Sequence, residues 1–108
     1  VLLYGLAREV DRRGAVDWRF VNQSTVGFDA FRDFIAEYTL DRTSQETGIS
    51  TEQLHRIADH LSSSKRVSFW WTMGVNQSYQ GVRTAQAIIN LALMTGNIGR
   101  PGTGANSI

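Results

Sequence analysis

The 108 residues of this chain include no cysteine. Disulfide bonds, thiolate metal ligands and cysteine-held iron–sulfur clusters are therefore excluded within it. No apolar run approaches the ~20 residues that a membrane-spanning helix needs. The 11 basic and 10 acidic side chains leave a net charge of +1, which provides no strongly basic surface. We therefore expect neither nucleic acid nor a membrane as a partner.

Proline is nearly absent as well, and the single proline, Pro101, lies in a glycine-rich loop. Helical patterns therefore run through most of the chain without interruption. In most of them, apolar residues recur every three or four positions while polar residues fill the other face. Helices are predicted over residues 1–13, 16–24, 28–38, 39–47 and 51–61, the fourth of them mostly polar.

Residues with capping preferences mark the ends of these helices. Gly14, Gly48 and Gly96 suit the C′ position just past a helix. Asp17 lies near the start of the second helix, and Ser50 suits an N-cap because Gln53 follows three residues later. The polar residues 62–65 are expected to form a loop, and the acidic residues are expected to lie on solvated faces. The predicted core stripes consist of Phe28, Phe31, Phe34, Ile35 and Tyr38, and of Leu54, Ile57, Ala58 and Leu61.

A strand–loop–helix unit follows. Residues 67–72 are β-branched or aromatic and are bounded by a polar loop and Gly74, so they predict a buried strand that includes at least one core tryptophan. Residues 82–94 predict a helix that is apolar on most sides, which is typical of a helix inside a larger body. With only one strand visible in the sequence, we expect its pairing partners outside this chain or on a second copy.

The predicted fold class is therefore α/β and mostly helical, with about five to six helices and one clear strand. The chain begins with Val1 inside an apolar helical pattern and ends shortly after a glycine-rich turn. We expect residues 1–108 to form a single partial domain, an internal fragment of a longer protein.

Catalytic motifs are weak in this sequence. His55 and His60 are five residues apart, roughly 140° around a helix, so they do not share a metal-binding face. There is no nucleophile elbow and no phosphate-binding Walker loop. No catalytic residue and no metal ligand is therefore predicted.

The loop that enters the last helix is the best candidate for a binding site, because ligands of α/β folds collect beyond the carboxyl ends of strands. Gly74 permits a sharp turn or a close approach to a ligand. Gln77 offers a carboxamide that can pair with the amide-like edge of a pterin or guanine. The following helix N-terminus suits a phosphate. A structural interpretation, in which Asn76 and Gln77 cap the helix and hold the loop, is equally supported by the residues alone.

At this point the sequence resembles a known family. The motif Met73-Gly74-x-Asn76-Gln77-x-x-x-Gly81, followed by NLALMTGNIGRPGTG at 90–104, is similar to the molybdopterin oxidoreductases of the dimethyl-sulfoxide-reductase family. The resemblance covers essentially the whole chain and is strongest in the last 40 or so residues. Within the family it is closest to the assimilatory nitrate reductases. Formate dehydrogenases typically carry threonine in place of Asn76, and histidine soon after Gln77.

The resemblance implies a large enzyme that holds molybdenum between two molybdopterin guanine dinucleotides, usually with a [4Fe–4S] cluster near its N-terminus. The implied reaction is oxygen-atom transfer from nitrate, in the cytoplasm, with electrons from a donor protein or module. Met73, Gly74, Asn76 and Gln77 match positions associated with the pterin cofactor. Arg100 is expected to form a surface or interdomain ion pair. The cysteine ligands of cluster and molybdenum lie outside this chain, so we expect the isolated chain to be inactive, to bind no cofactor and to self-associate.

Two alternatives stay open. The first is a fragment of a formate dehydrogenase or of a periplasmic nitrate reductase, which differ from the favoured enzyme mainly outside this segment. The second is a stand-alone helical interaction domain in which the motif is only a structural turn. A start codon directly before Val1 and a stop codon directly after Ile108 would favour that second alternative.

Overall fold

A computed structural model describes residues 1–63 and 66–108, and helices dominate these residues. The α/β, mostly helical class predicted from the sequence is confirmed. The polar loop predicted at 62–65 includes residues 64–65, which lie outside the described residues. The helices are α1 (Leu2–Arg12), α2 (Trp18–Ser24), α3 (Phe28–Ile35), α4 (Leu40–Thr47), α5 (Thr51–Ser63), α6 (Met73–Asn76) and α7 (Gly81–Met94), and the strands are β1 (Ser68–Trp71) and β2 (Gly104–Ser107).

Helix α1 is the centre of the helical layer and contacts α3, α4, α5 and α7. Its apolar face is almost fully removed from solvent at Leu6, Ala7 and Val10. Gly5 lies where α1 crosses α4, and a Cβ atom placed there would come within 2.2 Å of the hydroxyl oxygen of Thr43. The two helices therefore approach each other closely because this position has no side chain.

The capping residues predicted from the sequence are confirmed. The Asp17 carboxylate accepts a hydrogen bond from the backbone N–H of Phe20 at 3.0 Å, which satisfies a free donor in the first turn of α2. The Ser50 hydroxyl likewise accepts a hydrogen bond from the backbone N–H of Gln53 at 3.2 Å, in the first turn of α5. The glycines at the helix ends adopt the left-handed conformation that Cβ-bearing residues avoid: φ is 71° at Gly14, 77° at Gly48 and 69° at Gly96.

Three predictions of burial are wrong. Glu9, expected on a solvated face, is only 1% exposed. The guanidinium groups of Arg12, the last residue of α1, and of Arg13, the next residue, pair with its carboxylate and cover it. Phe34, expected in the core stripe, is 50% exposed, because it packs on one side only, against the rings of Tyr4 and Tyr38, while Ile35 is the buried residue of α3. Ile57 is 38% exposed, while the other three residues of its predicted stripe are buried.

The two strands form one parallel sheet, in which Ser68 pairs with Gly104 and Trp71 with Ser107. The prediction that β1 finds its partner outside the chain is therefore wrong. Residues 104–107 carry little strand propensity and follow a turn-rich loop, so nothing local marked them as a strand. Helix α7 contacts both strands and supplies the long crossover that parallel strands require.

Strand β1 is less buried than the sequence predicted. Trp71 is 9% exposed and is the expected core tryptophan, whereas Trp70 is 65% exposed. Successive side chains of a strand point to opposite faces, so Trp71 faces the side of the sheet that is covered and Trp70 faces the open side. Helix α7 is likewise half covered, since Val82 is 74% and Ile89 37% exposed.

Candidate functional site

The carboxyl ends of both strands meet at one edge of the sheet, because β1 and β2 are parallel and Trp71 is in register with Ser107. Helix α6 begins two residues after Trp71, so the predicted motif lies directly at this edge. In open α/β sheets this is the edge where ligands bind. We call residues 73–83 the carboxyl-edge surface.

The first part of this surface is a single helical turn, not the loop that the sequence predicted. The N–H groups of Val75 and Asn76 both donate to the carbonyl of Thr72, at 3.1 and 3.0 Å, and the N–H of Gln77 donates to the carbonyl of Met73 at 2.9 Å. A four-residue helix is not stable by itself, since the cost of nucleation exceeds the gain from so few hydrogen bonds. Contacts with the rest of the chain must hold it in place.

One of these contacts is made by Asn76. Its side-chain oxygen accepts a hydrogen bond from the indole nitrogen of Trp71 at 3.0 Å. Its side-chain nitrogen donates to the hydroxyl of Ser107 at 2.9 Å. Asn76 therefore binds the sheet and does not cap α7. The N-cap of α7 is Gln80, which forms no side-chain cap, so the capping part of the structural interpretation is wrong, whereas the hydrogen bonds of Asn76 to Trp71 and Ser107 do hold this segment.

A second contact explains Gly81. A Cβ atom at this position would lie 2.5 Å from the carbonyl oxygen of Val75 and 3.1 Å from that of Asn76. Only glycine lets α7 start this close to α6. Gly81 is part of the sequence motif, but glycine is needed there because α6 and α7 lie so close together, and no local sequence pattern reveals that distance.

Like Asn76, the other three predicted site residues are exposed. Met73 is 58% exposed, and both Gly74 and Gln77 are exposed. Gly74 has no positive φ, and a Cβ atom there would meet nothing within 4 Å. The sharp turn that the sequence suggested for Gly74 is therefore absent. Close approach of a ligand remains a prediction for this glycine, and nothing inside the described chain competes for the space.

A shallow open groove runs beside this turn, around the N-terminus of α7. Its lining includes Tyr79, which is fully exposed, and Arg83, which lies in the first turn of α7. The first N–H groups of a helix have no intrahelical acceptor and form the positive end of its dipole. Together with the Arg83 guanidinium they favour a negatively charged group here. The sequence analysis missed both residues, although the position of Arg83 in the first turn of an apolar helix was a readable signal.

The second half of the family motif lies at the opposite edge of the sheet. Asn97 is 1% exposed, and its side-chain oxygen accepts hydrogen bonds from the N–H of Val67 at 2.9 Å and from Arg100 at 3.2 Å. Arg100 also donates to the carbonyl of Gly96 at 3.0 Å. These contacts fix the loop that leads into β2. The ion pair expected for Arg100 stays a prediction.

No metal site emerges from the part of the chain that the structure describes, where no three His, Cys, Asp or Glu side chains form a group able to hold an ion. His55 instead places its Nδ1 2.8 Å from a guanidinium nitrogen of Arg13. Among the helices of residues 1–63 and 66–108, none combines the length and the apolar character needed to cross a bilayer. The carboxyl-edge surface is therefore the strongest candidate site in these residues.

Comparison with known proteins identifies the family to which this chain is related. A family model described as molybdopterin oxidoreductase matches residues 28–108, which include the entire carboxyl-edge surface. The chain belongs to the molybdopterin oxidoreductase family. The resemblance stated from the motif is thereby confirmed.

Three curated relatives of this molybdopterin oxidoreductase segment illustrate the range of the family. A nitrate reductase of Synechocystis sp. is 37% identical over 107 residues. The F420-dependent formate dehydrogenase 2 subunit alpha of Methanococcus maripaludis and formate dehydrogenase H of Escherichia coli are each 33% identical over 107 residues. Each alignment covers 99% of this chain but only 15%, 16% and 15% of the respective relative. The family is thus established, whereas two kinds of enzyme match nearly equally well.

Proposed function

We propose that this chain is one segment of a longer molybdenum-dependent oxidoreductase and that its carboxyl-edge surface faces the pterin cofactor of that enzyme. The observation that carries the proposal is the position of the family motif. The fold brings Met73, Gly74 and Gln77 together, exposed, at the edge of a parallel sheet where ligands bind. The chain spans about 15% of the length of the first relative, so the remaining walls of such a site would come from the rest of the enzyme.

The residues present fit a pterin on three grounds. The open space beside Gly74 admits a planar group close to the backbone. The exposed Gln77 carboxamide offers two donors and one acceptor, which match the amide-like edge of a pterin or guanine. The exposed Met73 side chain supplies a polarizable apolar contact. When bound, the cofactor supplies the two-electron chemistry, while these residues bind and orient it.

We further propose nitrate as the substrate, reduced to nitrite by oxygen-atom transfer. Support comes from the 37% identity to a nitrate reductase and from Asn76 and Ser78-Tyr79, which depart from the formate dehydrogenase pattern. Formate dehydrogenase is the second candidate, because two such enzymes match at 33% identity over the same residues. A periplasmic nitrate reductase belongs with this second candidate.

The remaining assignments follow from the family resemblance and belong to the same proposal. The complete enzyme would carry molybdenum between two molybdopterin guanine dinucleotides, and a [4Fe–4S] cluster bound outside this segment. It would receive electrons from a donor protein or module, and we propose the cytoplasm as its location. The isolated segment should be inactive and should self-associate through exposed apolar side chains such as Trp70, Met73 and Val82.

The first experiment uses the full-length enzyme, produced in a host that makes the cofactor. Molybdenum and iron are quantified, and reduced-viologen-dependent nitrate reduction is assayed beside formate oxidation. Nitrate turnover with bound molybdenum supports the proposal, and formate turnover moves the chain to the second candidate. Absence of both molybdenum and activity would leave the glycine-rich loop as a structural turn and the family resemblance without its function.

The contact itself is tested by Gln77→Ala in the full-length enzyme. Loss of one hydrogen bond, about 1 kcal/mol, should lower cofactor affinity by roughly five- to tenfold and reduce the molybdenum retained per protein once the enzyme is diluted to near the dissociation constant. Gln45→Ala is the matched control, since Gln45 is also an exposed glutamine but lies on α4. Equal molybdenum content in both variants would refute the assignment of Gln77.

A further inference from the structure

Asn76 occupies a position that its sequence motif does not explain. Both polar ends of its side chain are engaged inside the chain: the oxygen with the Trp71 indole and the nitrogen with the Ser107 hydroxyl. Each of these two atoms can still form another hydrogen bond, but the two bonds already made give Asn76 a structural task inside the chain. The geometry therefore calls for a different role.

The hydrogen bond from the Trp71 indole to Asn76 satisfies a buried donor. Trp71 is 9% exposed, and a buried indole N–H needs an acceptor, because leaving it unpaired costs free energy. Asn76 supplies that acceptor at 3.0 Å. The contact with Ser107 joins the same side chain to the last residue of β2. Asn76 thus links the carboxyl ends of both strands to α6. Beside it, the N–H of Ile108 donates a backbone hydrogen bond to the carbonyl of Trp71 at 2.9 Å, which also joins the two strand ends.

The position of α6 depends on this link. Met73 is the first residue of the turn, and Gln77 follows Asn76 directly. Because the turn is too short to persist alone, its orientation is set by what anchors it. Asn76 anchors it to the sheet on one side, and on the other side the absence of a side chain at Gly81 leaves room for the Val75 carbonyl.

We propose that Asn76 is a positioning residue, which clamps α6 to both strand ends and thereby sets the direction of Met73 and Gln77 toward the cofactor. This inference rests on the proposed function, because it assumes that Met73 and Gln77 face the pterin. The clamp itself is a property of the chain and is measurable without the cofactor.

Three variants of the full-length enzyme separate the parts of this proposal. Asn76→Ala removes both hydrogen bonds. Asn76→Asp keeps the acceptor for Trp71, and the Ser107 hydroxyl can donate to the new carboxylate, so both contacts survive. Ser107→Ala removes only the contact with β2.

Hydrogen exchange tests the clamp. The amides of Val75, Asn76 and Gln77 should exchange about tenfold faster in Asn76→Ala, about threefold faster in Ser107→Ala, and within twofold of the original enzyme in Asn76→Asp. If Asn76→Ala fails to fold, Ser107→Ala and Trp71→Phe, which removes the indole donor, provide the same comparison with one bond lost each. Unchanged exchange in the variants that fold would overturn the clamp.

Molybdenum content tests the positioning role. We expect Asn76→Ala to lose molybdenum as Gln77→Ala does, and Asn76→Asp to restore it. Faster exchange in Asn76→Ala with full molybdenum content, in an enzyme where Gln77→Ala loses the metal, would show that the clamp does not position the site. Full molybdenum content in Gln77→Ala would instead count against the proposed function, while the exchange result would still decide the clamp.

Discussion

The buried carboxylate of Glu9 offers the sharpest test of the helical layer. Glu9 is 1% exposed and accepts hydrogen bonds from Arg12 Nε at 3.0 Å and from Arg13 Nε at 2.9 Å. Arg13 also contacts Asp59 and His55 of α5. The group therefore connects the end of α1 to α5. We expect Glu9→Gln to destabilise the chain, because a neutral amide would face two guanidinium groups without balancing their charge.

The expected loss of stability follows from the pKa of the Glu9 carboxyl. The Arg12 hydrogen bond, helped by Arg13 and opposed by burial, lowers the pKa of Glu9 from 4.5 to about 2. Each tenfold change in proton affinity corresponds to about 1.4 kcal/mol, so the ionised carboxylate contributes roughly 3 kcal/mol at neutral pH. Because the pKa is lower in the folded state, this stabilisation is complete above about pH 4.5 and disappears as the pH falls toward 2.

The assay is urea unfolding of the 108-residue chain between pH 7 and pH 3, followed by tryptophan fluorescence. Glu9→Gln should lose about 2–4 kcal/mol at pH 7, and the difference from the original chain should shrink steadily below pH 4.5. Glu52→Gln is the control, because Glu52 is an exposed carboxylate on α5 and should change the stability by no more than about 0.5 kcal/mol. A pH-independent difference, or one as small as in the control, would refute the argument.

Three further predictions concern packing and buried polar groups, all measured by the same urea assay. Gly5→Ala should cost about 2–4 kcal/mol, since the new methyl group meets the Thr43 side chain, and adding Thr43→Ala should recover part of the loss. Thr43→Val should stabilise the chain by about 1 kcal/mol, because the buried Thr43 hydroxyl has no partner among the described residues; a loss of stability would indicate a partner. Asn97→Ala should cost about 2–3 kcal/mol because it leaves the Val67 N–H without its acceptor, and this loss should add to that of Asn76→Ala within about 0.5 kcal/mol.

The features that the sequence predicted correctly are local. Asp17, Ser50 and Gly48 act within one helical turn of their own position, so residue type and spacing determine what they do. The apolar faces of the helices are similarly periodic. The cofactor contact of Met73 and Gln77, which the family motif implies, stays a prediction.

The features that the sequence did not predict depend on distant residues. Strand β2 forms because residues 104–107 meet β1, more than thirty positions earlier, and not because of their own strand propensity. Glu9 is buried because Arg12 and Arg13, at the end of the helix, fold over its carboxylate. The hydrophobic pattern alone places this position on the solvent-exposed face. The role of Asn76 depends on Trp71 and on Ser107, and Ser107 is brought near only by the parallel pairing of the strands.

The fold also divides the family motif into two parts with different physical tasks. Residues 73–81 lie at the carboxyl edge of the sheet and are largely exposed, whereas Asn97 is buried at the amino edge, where it binds the residue just before β1. Four residues of strand separate these edges, a length of about 13 Å at roughly 3.3 Å per residue. One ligand atom cannot contact both ends of the motif. The second half has a structural task of its own, because Asn97 fixes the start of β1 and the register of the two strands places Trp71 beside Ser107 for the Asn76 clamp.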